Sequence, residues 1–307
     1  MNSIKRHTPL FLLPLFLTTP LATAAPTDCA LSQDLVYRAN ELYNQRAPVP
    51  EQVAILTQAV EVCPTNAYAH NNLANHLGDL GRFADAVRHY QQALALKPDL
   101  IDAWYGLGEA YQAWGRLPQS LEAFLHACTQ DKDARVRVVA LLKDNRFAGA
   151  EAGEVLDREA LAVLFDKARR QEISRMAQAC GIGGDRAVVE VQPILRNLEF
   201  ETGQARFADN PINRRQLEEI GAALNQLAPE RRIHIHGHSD DQPFAHVSRE
   251  ESDQRNLQLS QERAETIRSA LVAQGVAADR LLANGHGATQ AISTNRARNR
   301  RVEIAAE

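Results

Sequence analysis

From about Ser32 to Lys132 the same residue types return every 34 positions, and this period constrains the fold more than any other feature of the chain. The clearest copy runs from Ala67 to Leu100, marked by Leu73, Ala74, Leu77, Gly81, Phe83, Ala86, Tyr90, Ala93 and Pro98. One period later stand Leu107, Gly108, Tyr111, Gly115, Leu117, Ser120, Phe124 and Ala127, with Trp104 opposite His70. One period earlier, Ala39, Tyr43, Ala59 and Pro64 form a decayed copy. Small residues at Ala74 or Gly108, Ala86 and Ala93 let the two helices of a hairpin approach closely. Leu77, Tyr90, Tyr111 and Phe124 fill the space between hairpins, Gly81 and Gly115 turn the chain, and Pro64 and Pro98 stop the second helices.

This pattern resembles the tetratricopeptide repeat family, with two good copies and one weak one. The resemblance implies an α-helical solenoid over residues 29–132, whose concave groove holds a segment of a protein or peptide partner. The sequence does not name that partner, and no basic clamp is evident in the repeats.

The second organising stretch is Ile233 to Ala264. Ile233 and Ile235 fall on one face and His234 and His236 on the other, the alternation of a half-buried strand. Gly237-His238-Ser239-Asp240 ends it, a charged loop follows, and from about Asn256 the pattern becomes helical, with Leu259, Ala264, Ile267 and Leu271 as the apolar stripe. Arg263 lies in line with Ile267 and Ala270, at the edge of that stripe. A strand-end Asp240 and a helix-edge Arg263 can therefore converge beside one sheet. A carboxylate takes an ammonium and a planar guanidinium takes a carboxylate in two bonds, so the pair suits a zwitterion.

The stretch resembles the OmpA-like C-terminal domain, the peptidoglycan-binding module shared by OmpA, Pal and MotB. The likeness rests on Gly237-His238-Ser239-Asp240, Asn256-Leu257-Gln258-Leu259-Ser260, Arg263-Ala264, Gly285-His286-Gly287 and Asn299-Arg300-Arg301-Val302-Glu303-Ile304, in that order. It implies that Asp240 and Arg263 grip the amino-acid end of diaminopimelate in the peptide stem of the cell wall. Glu201, Asn256 and Arg300 or Arg301 are implied as secondary contacts; equally, Arg296, Arg298, Arg300 and Arg301 could be a solvated basic end facing the anionic wall. The chain departs from the family at Ser239, where Thr is usual, and over Asp241 to Arg255, which is longer than the usual connection and lacks the Gly that commonly follows the Asp. The conformation of residues 241–255 over the pocket is therefore left open.

The family's fold fits the local signals. Leu198 and Phe200 alternate with Glu199 and Glu201 as a first strand, and Asp209-Asn210-Pro211 starts a helix that carries Leu217, Ile220, Leu224 and Leu227 on one face. Strands near Leu281 and Val302 follow. The expectation is an α-helical repeat domain followed by a two-layer α/β sandwich of order βαβαββ over residues 187–307. Between them, residues 133–186 predict a helical linker and cap: helices over Val136 to Leu142 and Ala160 to Cys180, Asp157 as an N-cap, and Gly181-Ile182-Gly183-Gly184 as a hinge or tether.

Residues 1–24 read as a signal peptide: Lys5 and Arg6, an apolar core from Leu10 to Leu17, and Ala22-Thr23-Ala24 for cleavage. Asp28 before Cys29 argues against lipidation. Apart from this leader no stretch is long and apolar enough to span a bilayer, which needs about 20 residues. Its removal takes the formal charge from −4 to −6, a mild acidity that gives no reason to expect nucleic acid. In an oxidising compartment Cys29, Cys63, Cys128 and Cys180 allow two disulfides in three connectivities. Cys29 and Cys63 sit at the open ends of one hairpin, which favours their pairing and leaves Cys128–Cys180 to pin the repeats to the segment after them.

Two clusters point to sharper chemistry. His234, His236 and His238 share a strand face at a spacing that can bind zinc or copper, but no acidic or Cys ligand stands with them. His238, Ser239 and Asp240 are sequence neighbours whose side chains point to opposite faces, so they do not form a proton relay. The expectation is a non-enzymatic periplasmic adaptor without cofactor or metal, bound to peptidoglycan through one domain and to a protein through the other. The alternative is an envelope-complex scaffold of secretion or motor type whose C-terminal domain does not bind the wall.

Overall fold

The computed structural model describes residues 28–182, 192–201 and 203–307. The leader expected over residues 1–24, Gly183 and Gly184 of the expected hinge, and the domain start expected at 187 lie outside the described residues.

Six helices form three antiparallel hairpins: α1 (Cys29–Asn44) with α2 (Val49–Val62), α3 (Ala67–Asp79) with α4 (Phe83–Leu96), and α5 (Ile101–Ala113) with α6 (Leu117–Ala127). Ala74, Ala86 and Ala93 are fully buried where the helices touch. A Cβ on Gly108 would lie 2.6 Å from the Phe124 ring, so only glycine admits that ring. Gly81 and Gly115 take φ of +72° and +82°, the left-handed region glycine occupies at no steric penalty. The period also repeats a contact: His70 Nε2 lies 3.1 Å from the Pro64 carbonyl oxygen, and one period later Trp104 Nε1 donates to the Pro98 carbonyl at 2.9 Å.

The four cysteines pair as Cys29–Cys63 and Cys128–Cys180, with Cα separations of 4.9 and 5.9 Å. The first closes the open end of the α1–α2 hairpin; the second ties the end of α6 to the end of a later helix.

The segment after the repeats is folded over its described residues, up to 182. It contains α7 (Lys132–Leu142), a short 3-10 turn (Lys143–Ala148), a two-residue strand β1 (Gly149–Ala150), α8 (Arg158–Phe165) and α9 (Lys167–Ala179). The single helix expected over Ala160 to Cys180 is broken at Asp166, whose backbone (φ −84°, ψ 107°) ends α8 and whose carboxylate accepts from Arg169 N at 3.1 Å to cap α9. Asp157 caps α8, accepting from Ala160 N at 2.9 Å. Phe147, Leu161, Leu164, Phe165 and Ile173 are buried in one continuous core that runs from Leu117 to Ala306.

The C-terminal part holds β2 (Ile194–Leu195), α10 (Pro211–Asn225), β3 (Ile233–His238), α11 (Arg249–Ala273), β4 (Leu281–Gly285), α12 (Arg296–Asn299) and β5 (Arg301–Ala306). The sheet order is β1-β2-β5-β3-β4: β5 is antiparallel to β2 and β3, while β4 runs parallel to β3 and β1 parallel to β2. Ile233, Ile235 and Ile304 are buried with Ala264, Ile267 and Leu271 of α11. The helical repeats and the α/β layers match the expected fold class, with a fifth strand supplied by the segment before the domain.

Two boundaries differ from expectation. The first paired strand is Ile194–Leu195; at Leu198–Glu201 there is only a bridge between Phe200 and Phe207, because the chain turns back on itself at once. α11 begins at Arg249, two turns before Asn256. Ser248 accepts from Glu251 N at 3.1 Å, and Glu250 and Glu251 sit in the first turn, where carboxylates are favoured. The connection after Asp240 is correspondingly short.

Candidate functional site

Two glycines set the geometry. Gly237 and Gly285 face each other across β3 and β4. A Cβ on Gly237 would run into the Ser260 carbonyl oxygen, and one on Gly285 into the Gln261 backbone nitrogen. Without side chains between them, α11 lies directly on the strand ends. Asp240, just past the end of β3, and Arg263, one turn beyond Ser260, are thereby brought to the same corner. Backbone bonds from Ser239 N to Gly287 O and from His286 N to Gly237 O, both 2.9 Å, fix that corner, as does Gly287 N donating to Ser260 Oγ at 2.9 Å.

Asp240 and Arg263 line one open cavity of about 1230 Å³ without bonding each other. The Asp240 side chain is 9 % exposed; Oδ1 accepts from Gln242 N at 3.1 Å and Oδ2 is held by Arg300 Nη1. Arg263 Nε donates to the Gln204 carbonyl at 3.1 Å, and its guanidinium lies 4.9 Å from the centre of the Phe200 ring. Burial pulls the Arg263 guanidinium below its usual range, the Arg300 charge adds to this, and Asp240 opposes it. The pocket is therefore a carboxylate between two guanidinium groups, with Phe200, Phe244 and Leu259 as its apolar wall.

The secondary residues separate. Asn256 is buried, lines the cavity and donates to the Gln242 carbonyl at 3.4 Å, holding the short loop in place. Arg300 reaches Asp240 itself. Arg301 lines the cavity but is tied down: Nε donates to Glu303 at 2.5 Å and Nη2 to the Gln290 carbonyl at 3.1 Å. Glu201 is not among the lining residues; the Phe200–Phe207 bridge turns its carboxylate to Arg206, 2.5 Å away. Arg296, Arg298, Arg300 and Arg301 each pair with a carboxylate, of Asp241, Asp144, Asp240 and Glu303 respectively, while the Arg296 and Arg300 side chains stay exposed to solvent.

Four histidines form a row on the other face of the sheet. His234 and His236 stack at 5.9 Å, His236 Nδ1 lies 2.8 Å from His286 Nε2, and His238 stacks on His286 at 5.0 Å. Burial lowers His236 and pushes His238 down to about 3, with help from the Arg301 charge. Among the described residues no group of three His, Cys, Asp or Glu side chains is placed to share a metal ion. Neither ring nitrogen of His238 nor the Ser239 hydroxyl has a partner, so His238, Ser239 and Asp240 are not linked into a relay.

Sequence reasoning missed the apolar wall and the paired glycines. The signal was present in the two Gly-His steps, Gly237-His238 and Gly285-His286. A second cavity of about 480 Å³ lies in the repeats, lined by Asn40, Asn72 and Asn75 with Tyr43, Asp79 and Glu109.

Comparison with known proteins bears on both halves. Residues 199–305 match the OmpA family, and residues 74–115 and 101–133 match tetratricopeptide repeats. The chain is 30% identical over 113 residues to the probable lipoprotein YiaD of Escherichia coli (strain K12), covering 35% of this chain and 47% of that protein. It is 28% identical over 110 residues to the Homo sapiens tetratricopeptide repeat protein 7B, covering 34% of this chain and 13% of that one. The chain thus spans less than half the length of the curated relatives it matches. A solved periplasmic domain of Helicobacter pylori MotB is 23% identical, with a TM-score of 0.31, covering 36% of this chain and 69% of that one.

Proposed function

We propose, from an OmpA-family domain at residues 199–305 standing behind tetratricopeptide repeats at residues 74–133, that this chain is a non-enzymatic cell-envelope adaptor. The C-terminal domain binds peptidoglycan through the diaminopimelate of its peptide stem, and the repeats recruit a protein partner. The observation that carries the reading is that Asp240 and Arg263, from separate elements, line one open cavity and do not neutralise each other. Asp240 takes the ligand's ammonium and Arg263 its carboxylate, each a charge-assisted bond worth about 1.5–3 kcal/mol net. Phe200 and Leu259 hold the methylene chain between.

A periplasmic setting agrees with the expected leader, the two cysteine pairs and a relative described as a probable lipoprotein. Among the described residues no helix is long and apolar enough to cross a membrane. For the repeats, the asparagine-lined groove offers amides to a peptide backbone.

The ion pair of Arg300 with Asp240 favours a second reading, an envelope-complex scaffold whose pocket stays closed to the wall. Co-sedimentation with purified sacculi decides between them. The wild-type chain pellets and Arg263→Ala stays in solution, since removing one partner of a buried charge pair costs about 2–5 kcal/mol. Failure of both to pellet favours the scaffold, and pelleting of both means that Arg263 is not the grip; soluble muropeptides appearing over time would mean an enzyme.

A further inference from the structure

The cavity is larger than a single amino-acid head group needs. Its second arm is built from Arg146, Glu151 and Arg196, which precede the OmpA-family match at residue 199, together with Arg298. β1 makes this possible by pairing with β2, which sets residues 146–151 beside the strand ends of the domain.

Arg196 is the informative side chain. It is 5 % exposed; Nη1 donates to Glu151 at 2.9 Å and Nε to the Arg298 carbonyl at 3.3 Å, while Nη2 has no partner. Burial lowers its pKa, the Glu151 carboxylate opposes this, and the charges of Arg298 and Arg301 lower it further. The carboxylates paired with its neighbours, Glu154 on Arg146 and Asp144 on Arg298, are 44 % and 55 % exposed, so water screens them and they are readily exchanged. The one carboxylate on Arg196, that of Glu151, is itself 39 % exposed and as readily exchanged, and the buried guanidinium keeps an unmade bond among like charges.

We propose that the wall formed by Arg196, Arg298 and Arg146 is a second subsite, for a carboxylate, so that the cavity reads an acidic residue joined to diaminopimelate rather than diaminopimelate alone. This rests on the wall-binding reading and deepens it. The ammonium-bearing end occupies the Asp240 and Arg263 corner, and the neighbouring residue's free carboxylate lies on the arginine arm. The segment before the domain then forms half of the binding site.

Calorimetric titration of the full chain tests this with three ligands: diaminopimelate, the tripeptide Ala-γ-Glu-diaminopimelate, and the same tripeptide with its γ-Glu carboxylate amidated. The tripeptide is expected to bind about tenfold more tightly than its amide. Arg298→Gln, at a partly exposed side chain whose loss empties no core, brings that ratio to about one. Equal binding of tripeptide and amide to the wild-type chain overturns the subsite and leaves the wall-binding reading standing. Failure of all three ligands to bind overturns both.

Discussion

Arg300 holds the carboxylate of Asp240, so the group proposed to receive a ligand's ammonium already carries a cation. The two partners are unequal: the Arg300 side chain is 50 % exposed and that of Asp240 9 %. An exposed partner is released at little expense, typically under about 1 kcal/mol. Asp240→Asn is therefore expected to abolish sedimentation with sacculi, while Arg300→Gln changes affinity by no more than about fivefold. If Arg300→Gln removes binding as completely as Asp240→Asn, Arg300 grips the ligand instead of standing in for it.

Gly237→Ala should damage the site without touching either charge. The new methyl group meets the Ser260 carbonyl, which is backbone and cannot rotate away, so α11 must lift from β3. Overpacking of this kind costs about 1–3 kcal/mol. Thermal unfolding should show a lowered Tm, and the displaced Arg263 should weaken sacculus binding. A variant with wild-type Tm would show that the helix does not rest on the strand as described.

The parts legible in the sequence were those fixed by local chemistry. The 34-residue period gave the hairpins, since Ala74, Ala86, Gly108 and Phe124 each answer to a contact within one or two helices. The Asp240 and Arg263 corner was readable because β3 alternates and α11 has a stripe. Less legible was whatever depends on distant partners. Gly149 and Ala150 form a strand only because β2 lies beside them; nothing in two small residues announces pairing. Glu201 pointed to the pocket by matching position, yet the Phe200–Phe207 bridge decides its direction. Arg196 was not legible as a residue lining the cavity, because the pairing of β1 with β2 brings the residues around it together.

Reduction should loosen the junction between repeats and domain. Cys128 and Cys180 tie the ends of α6 and α9 across 52 residues, a loop for which chain entropy gives about 4 kcal/mol. Replacing both cysteines by serine is expected to lower Tm and raise protease sensitivity within residues 143–182 before the first hairpins open. Replacing Cys29 and Cys63 should instead affect the amino-terminal hairpin alone. Limited proteolysis with mapped cleavage sites separates these outcomes, and identical cleavage in both variants would contradict the separate roles.

Acid should destabilise the domain through His238 before its carboxylates titrate. Burial, then the charges of Arg301, His286 and His236, push this imidazole down to about 3, and the nearest carboxylate, Glu303, lies 4.0 Å away and is bound to Arg301. In the unfolded chain it takes a proton near its ordinary value of about 6.5. The depressed folded value means that the unfolded state binds more protons between these limits. Stability from this group is complete above pH about 6.5 and declines toward pH about 3, at up to about 1.4 kcal/mol per pH unit. Urea unfolding near pH 7 and near pH 5 should show His238→Gln losing less stability than wild type, by nearly one proton's worth of slope. His236, lowered in the same sense by burial, keeps part of the effect in the variant. Parallel pH profiles for the two proteins would mean that His238 gains its proton in the folded state, with the stacked His286 ring moving aside to admit water.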